Sequence, residues 1–100
     1  MSNETDDKGR EIDFEEVAKL IEGLERDLAK VRSGSRDLQL LRDEVETLKN
    51  VLRSPIRRHH WIRDALHGTR VAIENGLDAA MVEGIKGSRY IAEIGRILGM

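Results

Sequence analysis

Between Phe14 and Leu52 the apolar positions recur at alternating gaps of three and four residues. Phe14, Val17, Ile21, Leu24, Leu28 and Val31 form one series, and Leu38, Leu41, Val45, Leu48 and Leu52 form a second. This spacing lays a single aliphatic stripe along a helix, narrow enough to be a seam for another helix. Such a stripe must be covered, by the chain itself or by a second copy.

The stretch Ser33-Gly34-Ser35 separates the two series, and two arrangements fit it. Gly34 can end one helix and Ser35 can cap the next, which makes a tight hairpin. Alternatively one helix runs through, with a single extra three-residue gap acting as a stammer in a coiled coil. The spacing leaves both open. The start of the first helix carries clearer signals. Asp13 can be its N-cap, Glu16 can complete a capping box, and Ile12 with Val17 can form a hydrophobic staple.

Ser54-Pro55 is the next break, because proline suits a first helical turn and serine suits the cap before it. The pattern predicts a helix from Pro55 to about Glu74. Trp61, Ile62, Ala65, Leu66, Ala72 and Ile73 share its inner side, and His59, His60, Arg63, Asp64, His67, Arg70 and Glu74 its outer side. Asn75-Gly76 reads as a left-handed C-cap. A last helix is predicted over 78–98, capped by Asp78, with Met81, Ile85, Ile91, Ile94 and Leu98 on a wide apolar arc. Its Glu83, Lys86, Arg89, Glu93 and Arg96 read as a charged edge. Glycine costs up to ~1 kcal/mol inside a helix, so Gly84, Gly87 and Gly95 need a close approach or a bend to justify them.

The expected fold is therefore all-α. Residues 1–12 form a flexible acidic tail, 13–53 a coiled-coil-like helix or helical hairpin, and 54–100 a C-terminal helical hairpin. Together they make a helical bundle. A chain of 100 residues has room for only a thin core, so the Phe14–Leu52 seam is expected to serve self-association, in a homo-oligomer.

Composition narrows the function classes. Three aromatics and one proline argue against sheet, and the absence of cysteine removes disulfides, thiolate metal sites and a cysteine nucleophile. No apolar run approaches the roughly 18 residues of a membrane span. The polar, mostly acidic start lacks the apolar stretch of a signal peptide, so the expected location is cytoplasmic. Charge is divided unevenly. Residues 1–50 hold 9 Lys/Arg against 14 Asp/Glu, and residues 51–100 hold 8 against 5. An acidic half and a mildly basic half suit self-association or an anionic partner for the second half.

Two clusters could carry chemistry. His60, Asp64 and His67 fall on one helix face at steps of four and three, which is ligand spacing for zinc or a similar ion. Arg63 and Arg70 on that side oppose a divalent cation, and a solvated polar face is the plainer reading. The second cluster is Arg53, Arg57, Arg58 and Arg63 around Trp61, a possible anion or nucleic-acid contact. The acidic whole, with pI ≈ 5.9, disfavours a dedicated nucleic-acid binder. Gly84 to Ser88 matches neither the dinucleotide nor the Walker pattern. No catalytic arrangement and no cofactor motif stands out. The sequence is read as a non-enzymatic structural or protein-interaction module. A nucleic-acid-associated regulator and a metal or pH sensor are the alternatives.

Overall fold

A computed structural model describes residues 12–32, 34–56 and 58–99. It is an all-α bundle of five helices: α1 (Phe14–Ala29), α2 (Arg36–Arg53), α3 (His59–Asn75), α4 (Leu77–Val82) and α5 (Gly87–Leu98). The four longer helices form a ring in which α1 packs on α2, α2 on α3, α3 on α5 and α5 back on α1, with α4 as a link. The acidic tail expected over 1–12 lies, apart from Ile12, outside the described residues, as do Ser33 and Arg57.

The chain turns back on itself between α1 and α2, so the hairpin is the arrangement adopted. Arg42 of α2 fixes the turn: its Nη2 donates to the carbonyls of Leu28 (2.9 Å) and Val31 (3.4 Å). The last carbonyls of a helix have no partner of their own, and a guanidinium also complements their negative dipole end. Lys49 and Glu25 pair at 2.9 Å further along the same boundary. At the start of α1, Asp13 Oδ1 accepts from the Glu15 and Glu16 amides (3.0 and 3.3 Å). Ile12 and Val17 are both buried, as a staple requires. The reciprocal half of the capping box is replaced, because Glu16 turns outward to Arg96.

Beyond α2 the boundaries differ from those expected. Pro55 does not open α3. Ser54 is extended (ψ 141°), the conformation favoured before proline, and its Oγ accepts from the Ile56 amide at 3.3 Å. The helix begins four residues later, at His59. Asn75-Gly76 is not a left-handed cap, since Gly76 has φ −104° and is buried against Asp37. The helix expected over 78–98 breaks at Gly84, whose φ of +82° glycine adopts without strain. There the Ile85 amide donates to Ala80 O (2.9 Å) and the Gly84 amide to Met81 O (3.0 Å). These are the two bonds of a Schellman motif, and Ile85 and Ala80 are both buried beside them.

The core is aliphatic and runs the length of the ring. Leu24, Leu38, Leu41, Leu48, Ile62, Leu66, Ile73 and Ile94 are its largest fully enclosed members. Thr69, which the sequence pattern did not single out, is enclosed with them, and its Oγ1 donates to Ala65 O at 2.9 Å. Trp61 and Met81, expected inside, are exposed. Ile62 and Ala80, each about a 100° step away on its helix, take the inner positions instead.

The α1/α5 side of the ring is fastened by polar groups at its two ends. Arg96 reaches Glu16 with Nη1 at 2.6 and 3.0 Å, and the Tyr90 hydroxyl donates to Asp27 Oδ2 at 2.5 Å. Burial, with the Asp27 carboxylate as acceptor, pushes the Tyr90 hydroxyl up to about 12 from its usual 10. A phenol whose folded-state value is raised contributes stability that is complete below pH 10 and lost as pH rises towards 12. We therefore expect Tyr90→Phe to lower the melting temperature at pH 8 and to match the parent near pH 12. Thermal melts in parallel over that range test this. A constant difference would remove the link to ionisation.

Candidate functional site

The residues singled out by spacing meet different fates. Of the seam, Val17, Ile21, Leu24, Leu28, Val31, Leu38, Leu41, Val45 and Leu48 are buried within the one chain, and Phe14 and Leu52 at its ends are half-buried. The hairpin, closed by α3 and α5, supplies the cover for which a second copy was invoked. In the folded chain the nine buried side chains present little surface, and Phe14 and Leu52 stay partly open.

His60, Asp64 and His67 lie along α3. Among the described residues, no three His, Asp or Glu side chains gather into a set that could hold a metal ion. His59, which spacing had put on the outer side, takes a structural role instead, while His60 meets the edge of Trp61 at 5.9 Å. The His59 Nδ1 accepts from the Ile12 amide (3.0 Å) and its ring stacks on Phe14 at 4.9 Å. An acceptor at Nδ1 requires the proton to be on Nε2.

The basic segment is dispersed. Arg53 and Arg58 are exposed, Arg63 is half-buried and Arg57 lies outside the described residues. The Arg58 guanidinium sits 5.2 Å from the centre of the Trp61 ring, a cation–π contact.

A further surface, between α2 and α3, was not legible from spacing. The helices run antiparallel here, and a groove of about 180 Å³ opens along their outer side. Leu40 from α2 and Val71 from α3 line it and are about half exposed, at 51% and 48%. Leu40 falls between the seam positions Leu38 and Leu41, so the narrow stripe left it outside. Val71 lies on the side of α3 away from Ile62, Leu66 and Ile73. Asp37 and Glu44 edge the groove, and no cation among the described residues lines it. Neither carboxylate forms an ion pair among the described residues.

Gly68 sets the position of Glu44. A Cβ there would stand 2.6 Å from Glu44 Oε1, so the bare backbone of α3 lets the carboxylate lie close over the helix. Only the tip of a flexible side chain opposes a methyl at this position. Gly68→Ala is accordingly expected to stabilise the protein by about 0.5–1 kcal/mol through helix propensity, with Glu44 swinging aside. Denaturant melts measure the sign, and a loss of stability would mean that Glu44 is held rigidly.

No family model matches this chain, and the comparisons with curated proteins and with solved structures found none similar to it.

Proposed function

We propose that this protein is a non-enzymatic protein-interaction module and that the α2/α3 groove is its docking surface. One observation carries the reading. The seam is largely buried inside the chain, whereas Leu40 and Val71 stand half exposed across a shallow groove edged by two acids. Two neighbouring helices with an apolar furrow between them accept a third helix through its apolar stripe. The acids Asp37 and Glu44 fit a partner helix whose stripe is flanked by Lys or Arg. A second copy is the less favoured occupant. A two-fold pairing of this groove brings each set of acids towards its own copy, and like charges in apposition oppose association.

The test uses two labelled model helices with the same leucine stripe, one flanked by lysine and one by glutamate. Fluorescence anisotropy is expected to show saturable binding of the lysine peptide alone, lost in Leu40→Glu/Val71→Glu. Equal binding of both peptides, or binding unchanged by the double substitution, would defeat the proposal. Light scattering over a hundredfold concentration range is expected to give a monomer. A dimer that disappears in Leu40→Glu would assign the groove to self-association instead.

The exposed corner formed by Ile56, Arg58 and Trp61 supports nucleic-acid binding as a second reading. A salt-sensitive mobility shift abolished in Arg57→Ala/Arg58→Ala/Arg63→Ala would support it, and no shift at low salt would remove it.

A further inference from the structure

Between the two fastenings of α1 to α5 lies a cleft of about 580 Å³. Lys19, Gly23 and Arg26 line it from α1, and Lys86, Arg89 and Tyr90 from the start of α5. Its acids are already engaged: Glu16 and Glu93 with Arg96, and Asp27 with Tyr90. Lys19, Arg26, Lys86 and Arg89 form no ion pair among the described residues. Arg26 and Arg89 lie close enough to the Tyr90 hydroxyl to oppose, by their charge, the rise in its pKa. Gly23 leaves the floor open, since a Cβ there would meet the Tyr90 hydroxyl at 3.1 Å.

A second observation concerns α5 itself. Lys86 caps the helix and Arg89 stands in its first turn, which holds no acidic residue. Amide dipoles make a helix N-terminus positive, and cations there are unfavourable. Two cations at that end face two more across a cleft whose described lining holds five cations and three acids, an excess of positive charge. An anion in the cleft relieves it.

We infer that the α1/α5 cleft is a binding site for a small polyanion bearing a diphosphate group. Its volume falls within the ~300–1,000 Å³ of small-molecule sites, but charged side chains, five cationic and three acidic, line it where such sites are mostly apolar. That selects a highly charged ligand over an apolar metabolite. Two guanidinia offer planar, paired donors to phosphate oxygens, and two ammonium groups supply point charges for the remainder. This site is separate from the α2/α3 groove and does not depend on the docking role proposed for it.

Isothermal titration calorimetry at low salt tests the inference, with inorganic pyrophosphate as the probe. ADP and citrate, titrated separately, distinguish an organic diphosphate and a polycarboxylate. Saturable 1:1 heat with pyrophosphate is expected, weakened about tenfold or more in Arg26→Gln/Arg89→Gln, the loss of charge-assisted hydrogen bonds. Arg32→Gln/Arg36→Gln, a remote variant at exposed positions outside the cleft lining, is expected to bind like the parent. Circular dichroism checks that each variant is folded, and Lys19→Met/Lys86→Met replaces the arginine pair should it unfold. No saturable heat at millimolar pyrophosphate would overturn the inference, as would equal weakening in the remote variant. Citrate binding as tightly as pyrophosphate would overturn the diphosphate assignment.

Discussion

Leu24→Glu is expected to abolish the cooperative folded state without passing through a dissociated but folded species. Leu24 is fully enclosed at the centre of the ring. A carboxylate there has no donor to meet it, and an unpaired buried charge costs several kcal/mol even after the structure relaxes. The loss of leucine packing adds about 2–5 kcal/mol. Domains have only about 5–15 kcal/mol in total, and a thin core sits towards the lower end. The same change at Leu40, half exposed on α2, is expected to fall within about 0.5 kcal/mol. Circular dichroism melts combined with light scattering separate the cases. A Leu24→Glu variant that kept a sigmoidal melt while losing mass would show that the seam joins copies of the chain.

Gly87→Val is expected to destabilise by about 1–3 kcal/mol, the usual cost of overfilling a packed site. Its Cβ would stand 2.6 Å from Leu77 Cδ1 and 3.2 Å from Ile73 Cγ2. Leu77 can move its tip, but Ile73 is buried and has little room to move. For a domain of this size each 1 kcal/mol shifts the melting temperature by roughly 4–8 °C. Gly95→Ala is the control. Nothing lies within 4 Å of its added methyl, and the site is inside α5. It is expected to raise stability by up to about 1 kcal/mol. Melts of the two variants with the same sign would show that helix propensity, and not the α4/α5 approach, governs these glycines.

These glycines mark where the sequence was legible and where it was not. The three-and-four spacing located the inner faces of α1 and α2, because a period is a property of one helix alone. It did not say whether Ser33-Gly34-Ser35 was a turn, since a stammer preserves the same period. What decides that question is Arg42 reaching the Leu28 and Val31 carbonyls, a contact made only once the hairpin exists. Gly84 and Gly87 were recognised as needing a reason within a helix. The reasons are a left-handed turn and a close approach, and together they divide the segment in two.

The surfaces were harder to read than the core. The charged edge of α5 looked solvated because its alternating signs suggested pairing along the helix. Among the described residues only Arg96 and Glu93 pair along that edge, and Lys86 and Arg89 line one cleft with Lys19 and Arg26. Their juxtaposition belongs to the packing of α1 against α5, and no one-dimensional pattern contains it. The α2/α3 groove escaped for the same reason, with Leu40 and Val71 each an isolated apolar residue until the helices lie side by side. His59 escaped because its partners, Ile12 and Phe14, are more than forty positions away.

The fastening of α1 to α5 has a kinetic consequence. Its bonds join positions 63 and 80 apart in the chain, while α1/α2 and α2/α3 are contacts between sequence neighbours. Closing a long loop loses more chain entropy than closing a short one, and local contacts assemble first. The hairpins are therefore expected to form early, with the Glu16–Arg96 and Asp27–Tyr90 bonds completing the ring after the rate-limiting barrier. Interactions absent from that barrier govern the rate of unfolding and leave the rate of folding untouched. The polar side of the ring thus sets how long a folded molecule lasts, while the aliphatic hairpins set how quickly it forms.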